Sequence, residues 1–359
     1  MPLRVKFLAK SSGADPTDYW RRFLPNGETR QGEVEFFFRP DHRDYDWLVV
    51  YDDLPAADGE RFTRWREKLA CPRENTLLVT GEPATIKIYG RSFLSQFGHV
   101  LTSQEPWAVP HPRAIFSQCG LLWFYGKSHI EAAACFPEDK PRVISTVCSS
   151  KQQGHTLHAL RHAFTRRLGE RLPGLEVFGH GHRPIPSKVE ALDPYQYHLA
   201  IENHRAPHHW TEKLADAFLG GCLPFYFGCP NVFGYFPEES LIAIGLEDFE
   251  AGIETILKAV AERAYEKRLG AIREARRRVL EEYSTFPMLA RLIPRLHTAA
   301  GKPGAGGGEI LSRHAWRRSH PLRAMGYGIE RVWLSRRARR GRFADLSACG
   351  PENHPPHAS

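Results

Sequence analysis

The sequence predicts an α/β protein built on parallel sheets, and three stretches carry that prediction. Between residues 195 and 230 an apolar run (197–201) precedes a polar loop, and a helical pattern places Leu214, Ala217, Phe218 and Gly221 on one side. Gly220-Gly221 ends that helix, and a second apolar run (223–227) follows, closed by Gly228 and Pro230. Strand, helix and strand in this order make a right-handed crossover between parallel strands. A second such unit runs from the strand 143–147, through a helix carrying Leu157, Leu160, Phe164 and Leu168, to the strand 175–178. The third observation is the N-terminal half, where apolar runs at 4–8, 34–38, 47–51, 76–80 and 99–102 alternate with polar intervals. Helices are expected there at 61–69 and 89–97.

Bulk properties set the remaining bounds. A chain of 359 residues suits two domains with cores of their own and an additional segment. With 42% hydrophobic and 25% charged residues, the composition is that of a soluble globular protein rather than a disordered one. No apolar run reaches the length of a membrane-spanning helix. The start, MPLRVKFLAKSSG, lacks the apolar core of a signal peptide, so a cytoplasmic protein is expected. Seven cysteines without paired spacing fit reduced, buried thiols.

Parallel sheets bind ligands beyond the carboxyl ends of their strands. On that edge the sequence places Glu202, Asn203, Thr211, Glu212 and Lys213. Thr211 is placed to cap the helix, whose first turn presents unpaired N–H groups and partial positive charge. A diphosphate suits that end, with Lys213 as an added charge. Glu212 would repel phosphate and suits a pair of ribose hydroxyls. A capped surface helix with solvated Glu and Lys accounts for the same spacing.

Glu-Asn, seven residues, Thr-Glu-Lys, a helix and a strand ending in Gly-x-Pro together resemble the donor-binding signature of glycosyltransferase family 10, the α1,3/α1,4-fucosyltransferases. The likeness covers residues 143 to 244, and His209 stands where that family usually has Tyr. It implies a GT-B fold, two Rossmann-like domains facing a central cleft. It also implies inverting transfer of L-fucose from GDP-fucose to a glycan hydroxyl, often on N-acetylglucosamine. Two cations and a helix dipole can replace a metal at the diphosphate, so no cofactor and no divalent metal is expected. Lys151, Arg161, Asn203, Glu202, His209, Thr211, Glu212 and Lys213 become the donor-binding set, with Arg161 on the phosphates. On spacing alone Arg161 is an ordinary helix residue. A family 10-like enzyme using another nucleotide sugar, or a non-catalytic nucleotide- or glycan-binding protein, remains an alternative.

Glu82 lies at the tip of the strand 76–80, between Gly81, which lets the chain turn, and Pro83, which fixes it. A turn glutamate pointing into water explains that position as well. Thr-Gly-Glu at a strand end resembles the family's N-terminal domain, which implies that Glu82 is the catalytic base. Asp44-Tyr45-Asp46 has the look of a metal-holding D-x-D, but it precedes its strand and is expected to be a solvated loop. Asp52 and Asp53 lie at the ligand-facing end of that strand. His180, His182, His204, His208 and His209, with Cys222 and Cys229, lack metal-ligand spacing, so no metal site is expected.

The expected organisation is an acceptor-side domain over 1–138, a GDP-sugar-binding domain over 139–299, and a linker and basic tail over 300–359. Residues 126–142 are read as the connection between the domains. GKPGAGGG at 301–308 reads as a flexible linker. The segment beyond it is expected to be solvated and dispensable for folding, or to hold the protein on an anionic membrane surface beside a lipid-linked acceptor. No nucleic-acid module accompanies it.

Overall fold

A computed structural model describes residues 1–10, 16–57, 60–120, 122–123, 125–148, 157–297 and 308–341. The chain divides into two compact units, residues 1–120 with 285–341, and residues 121–284. Both are α/β units on largely parallel sheets, the two Rossmann-like units that the sequence calls for.

In the first unit the chain runs through β1 (Leu3–Ala9), α1 (Thr17–Arg21), β2 (Arg30–Gln31), β3 (Val34–Phe37), β4 (Trp47–Tyr51) and β5 (Arg66–Lys68). It continues through β6 (Thr76–Val79), α2 (Arg91–Leu94), β7 (His99–Thr102) and β8 (Ala114–Phe116). The second unit holds α3 (His129–Ala134), β9 (Arg142–Val147), α4 (His158–Arg171), β10 (Leu175–Phe178), α5 (Val189–Leu192) and β11 (Tyr195–Ile201). After these come α6 (Glu212–Leu219), β12 (Leu223–Phe227), β13 (Ile242–Ala243), α7 (Phe249–Ala261) and α8 (Ala264–Arg278). The chain then returns to the first unit with α9 (Thr285–Leu296), β14 (Glu309–Leu311), α10 (Arg313–Ser319) and α11 (Pro321–Gly341).

The first sheet runs β2-β3-β1-β4-β6-β7-β8, parallel except for the β2 edge. Its central strands are apolar on both faces because helices and loops cover both; Leu48, Val49 and Val50 are all fully buried. The second sheet, β10-β9-β11-β12-β13, is parallel throughout. Its order reverses between β9 and β11, since the chain goes outward to β10 first and then starts again on the other side. That reversal opens a crevice at the strands' carboxyl ends, where open α/β sheets hold ligands.

Several expectations are corrected. Unit boundaries fall at 120/121 and 284/285 instead of 138/139 and 299/300. The stretch read as a connection, 126–142, belongs to the second unit. There Lys127 pairs with Asp193 at 2.7 Å, and Ser128 and Glu131 form a capping box on α3. Phe286 packs on Phe7, Phe36 and Phe38, with ring centroids 5.0–5.4 Å apart, and so anchors the return to the first unit.

The segment 61–69 contains β5 where a helix was expected. Its inward residue is Glu67, fully buried and bonded to the equally buried Lys6 at 2.7 Å, so a charge stands where an apolar residue would have signalled a strand. The helix expected over 89–97 is one turn, after Gly90 at φ +83°. The loop of Asp44 and Asp46 is not simply solvated, because both carboxylates pair with Arg4.

The largest correction concerns the C-terminal segment. Residues 301–307 lie outside the described residues. Beyond them β14 pairs antiparallel with β5, and Ile310, Leu311, Ala315, Trp316, Tyr327, Leu334 and Ala338 are buried in the first unit's core. Arg313 donates its backbone N–H to Asp53 and its guanidinium to the Ile88 carbonyl. This segment is part of the fold. Among the described residues no helix is long and apolar enough to cross a membrane.

Candidate active site

The crevice at the β9/β11 reversal holds a cavity of about 230 Å³. Thr146 and Val147 from β9, Leu199 to Ile201 from β11, and Arg161, Asn203, Glu212 and Lys213 line it. The sequence reading gathers those last four from separate stretches of chain, and the structure brings them to one wall.

Thr211 is extended (φ −126°, ψ −169°) and caps α6, its Oγ1 accepting from the Lys213 backbone N–H at 3.4 Å. It is held in turn by Glu202, which is fully buried and accepts from Thr211 N at 2.8 Å and from Thr211 Oγ1 at 2.7 Å. Glu202 therefore positions the helix start. It is not among the residues that line the cavity. Thr211 is likewise not among the lining residues. Nor is His209, which is buried edge-on to His204, and burial depresses its pKa well below the ordinary histidine value. It supplies no cation there. Lys151 lies outside the described residues.

Lys213 Nζ approaches Glu212 at 3.1 Å, Thr211 Oγ1 at 3.2 Å and Glu202 at 3.4 Å. Burial works against its charge, but the two carboxylates outweigh it and raise its pKa. Burial likewise opposes Glu212's charge, and Lys213 and Lys188 overcome it, taking that carboxyl down to about 2. Both are charged at neutral pH. Arg161 is 5% exposed, and its Nε has no hydrogen-bond partner among the described residues. Asn203 Oδ1 is in the same condition. Buried polar groups left this way are costly unless a ligand or water satisfies them.

Among the lining residues that escape sequence reasoning are two charged ones, Lys188 and Asp216. Lys188 Nζ contacts Asp216 Oδ2 at 2.6 Å, while the other Asp216 oxygen has no partner among the described residues. Burial pushes the Asp216 carboxyl up to about 6, against the pull of Lys188. Asp216 follows Glu212 by one helical turn, so helical spacing alone could have found it. Lys188 has no such signal. His198 also lines the cavity; burial takes it down to about 3, so it is neutral, bonded to Ser145 Oγ at 2.8 Å. The wall thus offers cations and a helix start to an anion, and carboxylates to hydroxyl or amino donors.

Glu82 belongs to the first unit, just beyond β6, and is exposed. Gln104 holds its backbone by donating to the carbonyl oxygens of Glu82 and Lys87. Asp52, at φ +67° after β4, binds Lys87 Nζ at 2.6 Å and accepts from Tyr89; burial opposes its charge, yet these partners keep its pKa low. Burial raises the Asp53 carboxyl despite N–H donors from Arg313 and Leu54.

No family model matches the chain. Over 73 residues, 20% of this chain and 15% of the relative, it is 30% identical to α-(1,3)-fucosyltransferase FucT of Helicobacter pylori. Over 122 residues, 33% of this chain and 27% of the relative, it is 28% identical to α-(1,3)-fucosyltransferase B of Drosophila melanogaster. Less than a third of either relative is spanned. Among solved structures, an α1,3-fucosyltransferase with GDP-fucose matches with TM-score 0.44 and 16% identity, over 79% of this chain and 92% of that one. An α-glucosyltransferase in complex with UDP matches with TM-score 0.46 and 8% identity, over 81% and 100%. Over the two aligned stretches, the chain is similar in sequence to α1,3-fucosyltransferases.

Proposed function

We propose that this protein is an inverting glycosyltransferase that moves L-fucose from GDP-fucose to a glycan hydroxyl, α1,3 or α1,4 on N-acetylglucosamine-containing acceptors. The observation that carries the reading is the cavity wall at the sheet reversal, where Arg161 and Lys213 stand beside the capped start of α6. The diphosphate takes those cations and the helix N–H groups, and Glu212 takes ribose hydroxyls. Lys151 joins this set on the family likeness alone. Asn203 orients the donor, and Glu202, Thr211 and His209 hold the wall that presents it.

In the reaction the acceptor oxygen attacks the anomeric carbon from the face opposite the nucleotide. The bond to the diphosphate breaks, and Glu82 takes the acceptor proton. Stabilising the leaving diphosphate is the larger electrostatic task, and two cations with a helix end supply it without a divalent metal. Membrane contact beside a lipid-linked acceptor belongs to α11. Leu322, Met325, Ile329 and Trp333 form an exposed stripe there, flanked by exposed Arg323, Arg331, Arg336 and Arg337. Sedimentation with anionic vesicles should show binding that weakens with salt; binding equal on neutral vesicles would remove that contact.

A thermal-shift panel of nucleotides and nucleotide sugars tests the donor, since a ligand of the folded state raises its melting temperature. GDP and GDP-fucose should stabilise, and UDP and ADP should not. Stabilisation by a UDP-sugar without a GDP effect would replace the donor assignment. Stabilisation by GDP-fucose with no transfer would make the protein a binder.

A further inference from the structure

Beside this cavity lies a group of side chains that the transfer reaction does not use. Cys148 follows β9, His162 is on the second turn of α4, and His182 is in the turn after β10. Their potential ligand atoms, one from each residue, all lie within 4.8 Å of one another. Cys148 Sγ and His162 Nε2 are 3.7 Å apart. The imidazoles of His162 and His182 face each other with centroids 5.8 Å apart and planes inclined at 27°. The residues are 14 and 20 positions apart in the chain, so no ligand spacing in the sequence announces them.

The backbone is arranged to bring the third residue in. Gly179 has φ +118°, and a Cβ there would lie 2.5 Å from the Cys148 carbonyl oxygen. Only glycine lets the turn close against Cys148 at that distance. Cys148 N donates to Phe178 O at 2.8 Å, and Gly179 N donates to Arg183 O at 2.9 Å, fixing the turn that carries His182.

We propose that Cys148, His162 and His182 form a site for a borderline-soft divalent cation of the Zn²⁺ class, independent of the transfer reaction. Zinc–sulfur bonds of about 2.3 Å and zinc–nitrogen bonds of about 2.0–2.1 Å at a tetrahedral angle place sulfur and nitrogen about 3.6 Å apart. The Cys148–His162 pair, at 3.7 Å, already matches, and His182, within 4.8 Å of both, closes on the ion as it binds. One thiolate and two imidazoles are the donor set such an ion prefers over magnesium or calcium, and water completes the tetrahedron. Binding releases the Cys148 proton, so affinity rises with pH. Burial raises this thiol's pKa, and the Arg161 charge opposes that effect. The ion would tie β9, α4 and the turn after β10 together against the cavity wall, because Val147 and Arg161 adjoin Cys148 and His162 in sequence.

Cobalt(II) titration of the full-length, metal-free protein tests the site. The expected result is one Co²⁺ per chain, with a thiolate-to-cobalt charge-transfer band and the visible spectrum of a tetrahedral ion, both displaced by Zn²⁺. Cys148→Ser should abolish the charge-transfer band. His182→Ala, at an exposed position where folding is not at stake, should weaken binding at least tenfold. Melting curves of the metal-free variants confirm that they are folded. Absence of a charge-transfer band, or a band and affinity unchanged in both variants, would overturn the proposal. The unchanged case would assign the ion to another thiol, such as exposed Cys135.

Discussion

Replacing Lys213 by Met should harm the protein in two ways, and the two should separate. Its Nζ lies 3.4 Å from Glu202, which is fully buried, while Lys213 itself is 20% exposed. At that distance and an effective dielectric of about 20, the gross attraction is about 5 kcal/mol. Desolvation of both charges offsets part of it, and removing one partner of a buried pair costs roughly 3–5 kcal/mol because the other charge is stranded. Partial exposure of Lys213 places the expected loss near the lower end, about 3 kcal/mol. Loss of a charge-assisted contact to diphosphate should also weaken GDP binding by roughly 1–3 kcal/mol, about 5- to 150-fold.

A second substitution, Glu202→Gln, distinguishes the two effects. It removes the fully buried one of the two carboxylates that Lys213 pairs with, leaves the partly exposed Glu212, and keeps an acceptor for Thr211, so the double variant should regain part of the lost stability. Its GDP affinity should stay low. Urea unfolding and calorimetry on the four proteins complete the cycle. Recovery of GDP affinity together with stability would mean that Lys213 only supports the helix start, and the diphosphate assignment would fall.

Other outcomes follow from the same structure. Trp316→Ala should destabilise by roughly 3–5 kcal/mol, as truncation of a large buried ring does, because Trp316 is 3% exposed in the first unit's core. Urea unfolding indistinguishable from the parent would restore the dispensable tail. For Asp216, burial raises the folded-state pKa from 3.8 to about 6. Between those values the folded protein keeps a proton that the unfolded chain has released, so stability falls as pH rises through about 4 to 6. Asp216→Asn should flatten that part of the urea-derived stability profile, and an unchanged slope would show that Asp216 is not its source.

What the sequence revealed, and what it hid, follows from where apolar residues stand. β9, β11, β12 and α6 were legible because central parallel strands are short apolar runs and α6 carries Leu214 and Phe218 on its buried side. Arg161, Asn203, Glu212 and Lys213 came with them, since strand tips and helix starts place their residues on one edge. β5 was hidden because its inward position is Glu67, a charge balanced by Lys6 from a strand sixty residues earlier. α10 and α11 were hidden because few buried residues stand among many arginines, and the face they cover belongs to distant strands. The part Glu202 plays in holding the helix start was hidden, since spacing cannot say that Thr211 donates to both its oxygens.

Transfer of labelled fucose from GDP-fucose to an N-acetylglucosamine-containing acceptor, by the parent protein and by Glu82→Gln, tests the central proposal most directly. Glutamine keeps the shape of the side chain and removes the proton acceptor. The parent should transfer fucose, and the variant should turn over roughly 10²–10⁴-fold more slowly, the usual worth of a positioned base. GDP-fucose affinity, measured in parallel by calorimetry, should hardly change, which separates a base from a binding contact whose loss would raise KM and spare turnover. Near-normal turnover in the variant would make Glu82 a turn residue and move the search to Asp52 and Asp53. No transfer by a parent protein that binds GDP-fucose would contradict the enzymatic reading itself.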